Sequence, residues 1–225
     1  MSKINISLPF ICALMLCFFN DAAAQSPQSA SRDDTQSWNE VELSLPLNEQ
    51  VDLEFYGQLR VGRNLSHLVD ERAGIGFSFK PNKYLTFEPS YRYIAAQPVA
   101  GRSTREHRLS FEATVSVPVR GFTLSDRNQL DRRLRSSGNT TQYRNRLQVE
   151  HPVTLGGTQF KVFVADEVFY DSRERAWIRN RFSVGVSRKF SERYTGEIYY
   201  LRQNDGFSRP GDLHVIGTTL RVRFR

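Results

Sequence analysis

Cysteine, lysine and long apolar runs are what this chain of 225 residues mostly lacks. Its two cysteines, Cys12 and Cys17, both fall within the first 24 residues. If that segment is removed, disulfides, thiol catalysis, iron–sulfur clusters and cysteine zinc sites are excluded. No later apolar run approaches the ~20 residues of a transmembrane helix, and mean hydropathy is negative. Stripes of helical period are missing too. Of the 31 basic side chains only five are lysine, leaving 26 arginines.

What is present begins with a secretory pattern. Lys3 gives a basic start, Leu8 to Phe19 is a short apolar stretch, and Ala22-Ala23-Ala24 before Gln25 is a small-residue cleavage site. Residues 1–24 are therefore read as a signal peptide cleaved after Ala24. A lipid anchor on Cys17 is disfavoured by the bulky Leu16 before it. Residues 25–36 are small and polar, a flexible arm, and residues 37–225 are read as one domain. The formal net charge is +7. Basic chains often bind nucleic acid, but an exported one meets lipopolysaccharide phosphates, acidic solutes or its own carboxylates instead.

The domain alternates at period two. Val51, Leu53, Phe55, Leu59 and Val61 share one face, opposed by Asp52, Glu54, Tyr56, Gln58 and Arg60. Ala73 to Phe79, Leu85 to Tyr93 and Leu109 to Val117 repeat the division, as do Ile216 to Phe224 and Trp177 to Phe190, where Ile178, Asn180, Phe182, Val184 and Val186 oppose Arg179, Arg181, Ser183, Gly185 and Ser187. Side chains of a strand point alternately to two faces, so each segment is a strand with one greasy face. Phe122 to Leu134 is weaker, because Asp126 and Asn128 interrupt its greasy parity, and Phe163 and Phe169 blur the segment around them.

Short connections with Pro, Gly and Asn turn chemistry (48–50, 81–83, 118–121, 153–157, 191–193) alternate with longer ones (64–70, 95–104, 135–141, 171–176, 203–212). That is the arrangement of outer-membrane barrels, whose short turns are periplasmic and long loops extracellular. Lipocalin-type barrels and sandwiches also alternate, but turn the greasy face inward. Strand length and the aromatics near strand ends (Tyr84, Tyr93, Tyr143, Trp177, Phe190, Tyr194, Phe224) favour the membrane. The expected fold is all-β, an antiparallel up-and-down transmembrane barrel of ten to twelve strands. Eleven candidate segments conflict with the even count of bacterial barrels. Either Trp38–Leu47 is a partial strand or arm, leaving ten, or one segment is misread and there are twelve.

Several short motifs resemble an uncharacterised bacterial family, DUF2490. They are the Trp38-led WNEVELSLPL opening, Asn82-Lys83-Tyr84-Leu85 running into Tyr91-Arg92-Tyr93, Asp126-Arg127-Asn128, Tyr143-Arg144-Asn145-Arg146-Leu147, Asp166 to Tyr170, Arg179-Asn180-Arg181 and Tyr199-Tyr200. The resemblance runs from about Ser37 to Phe224 and implies a secreted outer-membrane barrel of unknown activity. Gln129 departs from it, where arginine is expected.

The inward parity carries Arg60, Arg92, Arg108, Arg127, Arg144, Arg146, Arg179 and Arg181 toward the long-loop half. Asp52, Glu54, Glu150 and Glu197 fall toward the other half, while Arg221 and Arg223 break the trend. Guanidinium groups bind carboxylate and phosphate in a bidentate way, so one reading is a porin-like barrel, or one binding anionic solutes, with a cationic lumen. The other is a structural or assembly barrel closed by ion pairs to Glu88, Glu112, Asp131 and Glu167, since unpaired charges in a narrow lumen are costly. A third, a membrane-embedded enzyme acting on lipid or lipopolysaccharide, finds no motif. His67, His107, His151 and His214 form no Ser/His/acid pattern, and Asp166 and Glu167, being adjacent, face opposite ways. No metal-ligand spacing or phosphate loop occurs, so neither cofactor nor enzymatic activity is expected. The expected location is the bacterial outer membrane. The expected partners are its lipid and lipopolysaccharide, the barrel-assembly machinery through the C-terminal strand, and small anionic solutes, with no nucleic acid.

Overall fold

A computed structural model describes residues 33–224. The expected signal peptide, residues 1–24, and residues 25–32 of the expected arm lie outside the described residues. Eleven strands follow one another: β1 Asp34–Pro46, β2 Val51–Gly62, β3 His67–Asn82, β4 Leu85–Val99, β5 Arg102–Val119, β6 Phe122–Arg135, β7 Thr140–Leu155, β8 Thr158–Asp171, β9 Ala176–Lys189, β10 Tyr194–Asp205 and β11 Leu213–Arg223. Each pairs antiparallel with the next, and β1 closes on β11 to complete a barrel.

The faces are inverted relative to a water-soluble protein. Phe111 is 52% and Leu59 51% exposed, whereas Asp131 is 0% and Asp52 2%. The closed barrel has no sheet edge, and with an apolar exterior around a polar interior it is the arrangement a strand protein needs in lipid. The lipocalin and sandwich alternatives fail on this point.

Among the described residues the strands number eleven, within the expected ten to twelve and equal to the segments read from the sequence, so it is the even-count rule that does not apply. An even count follows only when every neighbour is antiparallel. Here β1 runs parallel to β11, Asp34 opposite Leu213 and Ser44 opposite Arg223, so an odd number closes. Trp38–Leu47, the doubtful segment, belongs to this full-length strand. β1 also begins at Asp34, so residues 34–36 belong to the barrel rather than to a flexible arm. The Asp34 carboxylate accepts hydrogen bonds from the backbone N–H of Arg63 (3.0 Å) and Asn64 (2.7 Å). It thereby holds a turn in which Arg63, Asn64 and Leu65 are all left-handed.

Connection lengths differ less between the two rims than expected. At the upper rim, where β11 begins, they span 63–66, 100–101, 136–139, 172–175 and 206–212; at the lower rim they span 47–50, 83–84, 120–121, 156–157 and 190–193. Half of the residues read as long loops continue the strands, because the backbone ladder runs on there: Ala95 faces Arg105, and Val99 faces Arg102. Two lower turns, Arg120-Gly121 and Gly156-Gly157, have positive φ at both central residues, the twist that matches a two-residue hairpin. One bulge re-aims a side chain. Between Phe169 and Tyr170 the β8–β9 register slips, and Ile178, expected on the greasy face, is buried instead.

Candidate functional site

Inward residues of all strands converge on two cavities, an upper one of about 580 Å³ and a lower one of about 450 Å³. Arg127, Arg146, Glu197 and Arg221 line both, so they stand where the two meet. All eight arginines singled out from the sequence line the upper cavity. So do Arg72, Arg133, Arg135, Arg173, Arg209 and Arg221, giving fourteen arginines against eight carboxylates and no lysine.

The largest charge cluster centres on Glu167 of β8. Its carboxylate accepts from Arg127 Nη2 at 2.8 Å and Arg144 Nη2 at 2.6 Å, with Arg181 Nη1 at 3.8 Å. Asp131 of β6 accepts from Ser110 Oγ (2.6 Å) and Gln129 Nε2 (2.7 Å) and lies 3.6 Å from Arg144 and 3.8 Å from Arg108. Gln129, the departure from the family pattern, therefore serves as a neutral donor to a buried carboxylate. Glu112 sits 3.7 Å from Arg127. Three of the four expected ion-pair partners are thus in place. Glu88 is not. It stands in register with Glu112 across β4–β5, like charge beside like charge, and makes no salt bridge among the described residues.

The expected separation of cations above and anions below holds only in part. Glu106 pairs with Arg108 (2.6 Å) and Arg133 (2.7 Å), Asp205 with Arg179 (2.5 Å), and Asp70 with Arg72 (2.6 Å), all toward the upper rim. Glu106 shares its parity with Arg108 and could have been found by extending the alternation two residues; Asp205 was hidden in a presumed loop. Below, the arginines that broke the trend are engaged. Arg221 bridges Glu42 (2.7 Å) and Glu197 (3.0 Å), and Arg223 grips Asp52 with two nitrogens (2.8 and 2.9 Å).

Two inward aromatics were also missed. Trp38 is 3% exposed and holds the Arg60 guanidinium 3.5 Å and the Arg181 guanidinium 4.9 Å from its ring centroid. Phe169 underlies Arg144, Arg179 and Arg181 at 4.7–5.2 Å. Stacking on an aromatic face lets a guanidinium keep its charge without a carboxylate. Arg60, Arg92 and Arg146 hold no salt bridge among the described residues: Arg60 is hydrogen-bonded to Gln58, Arg92 lies over Tyr56, and Arg146 reaches Gln148. The histidines stay outside this site, His107 bonded to Tyr91 and His214 to Tyr200 (2.7 Å each), His151 to the Gly121 carbonyl, and His67 to Ser66. Among the described residues no group of three or more His, Cys, Asp or Glu is placed to hold a metal.

Comparison with known proteins agrees with this architecture. LpxR from Salmonella typhimurium is similar over 77% of this chain and 83% of its own, with a TM-score of 0.51 and 10% identity, a likeness of fold alone. An anion-selective porin from Comamonas acidovorans aligns over 74% of this chain and 56% of its own, with a TM-score of 0.37 and 15% identity, too loose to carry an argument. No curated protein matches the sequence. The family model described as "Protein of unknown function (DUF2490)" matches residues 35–213, which takes in all or part of every strand, and the chain belongs to that family.

Proposed function

We propose that this outer-membrane barrel binds small anionic solutes in its upper cavity and controls their passage where the two cavities meet, at Arg127, Arg146, Glu197 and Arg221. The observation that carries the reading is the excess of arginine over carboxylate in the upper lining. Guanidinium groups stacked on Trp38 and Phe169 are fixed in direction and retain N–H donors for a carboxylate or phosphate. The test is a planar bilayer recording under a salt gradient, with citrate or inorganic phosphate added to either side. An anion-selective current that either anion blocks is expected. Absence of such a current at every voltage, together with no heat of citrate or phosphate binding to the purified protein, overturns it.

A second reading, a structural barrel closed by its own ion pairs, is favoured by Glu167, which neutralises arginines of three strands at once. It predicts a silent bilayer and no anion binding, so the same recordings separate the two.

A further inference from the structure

The glutamines that point into the lumen are engaged, with one exception. Gln36 accepts from the Trp38 indole and donates to Asp34. Gln58 accepts from Arg60 and donates to Glu40. Gln203 accepts from Arg181 and donates to the Gly211 carbonyl. Gln129 donates to Asp131, and Gln148 accepts from Arg146. Gln142, the third residue of β7, differs from all of them. It is 2% exposed and lines the upper cavity close under the rim, yet its side chain makes no hydrogen bond among the described residues. A buried amide in that state is costly and calls for an explanation.

Its cross-strand neighbour on β8 is Asp171, in register with it, buried and lining the same cavity. One oxygen of that carboxylate, Oδ1, takes both local donors: the Thr140 hydroxyl at 2.8 Å and the backbone N–H of Arg173 at 2.9 Å. The carboxylate is thereby fixed, and Oδ2 has no hydrogen bond among the described residues. Residues directly opposite on one face of a sheet have Cβ atoms about 5 Å apart. An unused amide and an unused carboxylate oxygen therefore stand side by side and do not bond to each other.

An amide N–H donates and an ionised carboxylate only accepts. The single-atom group that serves both is a hydroxyl, which accepts from Gln142 and donates to Asp171. A carboxylate or phosphate at this point meets the charge of Asp171, and an ammonium meets the surrounding arginines. Charge on a ligand finds its partner one step lower. Phe169 is the next inward residue below Asp171, about 7 Å along the strand, and Arg179 stands opposite it. Arg179 donates from Nε to Asp205 at 2.5 Å and lies 5.2 Å over the Phe169 ring. Its two terminal nitrogens make no hydrogen bond among the described residues, and they form a fork suited to a carboxylate.

We propose that Gln142 and Asp171 read a hydroxyl at the upper mouth, so that the solute of this cavity is a hydroxylated anion, of the sugar-acid class, whose carboxylate pairs with Arg179. This rests on anion binding in the upper cavity and adds the hydroxyl to what is bound there.

Glucuronate and cyclohexanecarboxylate share a six-membered ring and one carboxylate and differ in their hydroxyls. Titration calorimetry of the full-length mature protein in phosphatidylcholine nanodiscs compares the two, with inorganic phosphate as a plain anion. Glucuronate is expected to bind at least about tenfold more tightly, the factor given by one hydrogen bond to a charged acceptor. Apolar contact works against that order, because the ring without hydroxyls is the greasier one. Gln142→Met, which keeps the length of the side chain without its amide, lowers the preference several-fold. In Gln142→Met/Asp171→Asn, where the free oxygen also becomes a donor, the preference falls to about one. Heat with phosphate but equal affinity for the two ring acids in the wild type overturns this proposal alone, and solvent then serves the pair. A preference that the double variant keeps overturns it too. No heat with any of the three anions overturns the anion-binding reading together with it.

Discussion

The wall built from β2 to β5 and the wall built from β6 to β9 solve the same problem differently. Outward positions of the first are hydrocarbon at mid-height: Phe55, Leu59, Ile75, Phe77, Leu109 and Phe111 are all exposed. Those of the second are crossed by Asp126, Asn128, Asn145, Asp166 and Asn180. Their inner faces differ as well. Glu167, Asp131, Arg127, Arg144 and Arg181, the densest charge cluster of the lumen, all project from β6 to β9. The first wall is amphipathic; the second carries polar rungs within its apolar outer face, joined there by hydrogen bonds. A strand that gives up its greasy face is giving up membrane affinity.

The largest break in this comparison is expected inside the second wall. Glu167→Gln leaves buried guanidinium groups of Arg127, Arg144 and Arg181 without their shared counter-charge, and a loss of about 3–5 kcal/mol follows. Denaturant unfolding of vesicle-inserted protein reads it. Glu88→Gln, on the first wall and facing Glu112, is expected to cost nothing or to stabilise. Next in size, Phe55→Arg places a cation on the hydrocarbon face near mid-membrane and destabilises by about 2–4 kcal/mol. Asp166→Leu, the reverse change on the second wall, is expected to stay within about 1 kcal/mol of wild type or to gain stability; a loss as large as that of Phe55→Arg sinks the contrast between the walls. Arg221→Ala removes a partly exposed bridge, so unfolding shifts by no more than about 1 kcal/mol. If the lumen conducts as proposed, single-channel current is expected to rise as the junction between the cavities widens. The smallest effect belongs to Gly57, in the first wall, where an added Cβ meets nothing within 4 Å. Gly57→Ala is neutral or stabilises by up to about 1 kcal/mol.

How legible each wall was in the sequence follows from the same contrast. Strands of the first wall show clean alternation because their two environments differ most. The weakness of Phe122 to Leu134 came from Asp126 and Asn128, and the structure shows this to be a property of the outer surface rather than noise. The eight lumen arginines were legible because inward parity is fixed by the pleat. Their compensation was not. Glu106 lay just outside the alternation as read and Asp205 in a stretch whose polarity read as loop, although a strand can continue through polar residues when its inward charges find partners. Trp38 and Phe169 had the right parity but the wrong chemistry for a polar lumen, and only the arginines stacked on them explain their place. All eleven strands were legible as segments; what misled was the even-count rule, because direction of closure is a long-range property and nothing local to β1 says whether its neighbour runs with it or against it.

That closure has a kinetic consequence. Ten junctions of the barrel join strands tethered by connections of two to seven residues. The β1–β11 seam joins residues as far apart as Asn39 and Thr218, a separation of 179. Chain-closure entropy grows with the logarithm of loop length, so holding this joint shut costs about 3 kcal/mol more than holding a hairpin of four residues. Among the junctions of the cylinder, the seam is where thermal opening releases the most chain freedom, and amide hydrogen exchange is expected to run fastest along Trp38 to Leu43 and its partner stretch, Gly217 to Val222. The barrel is closed all round, yet it has one zip.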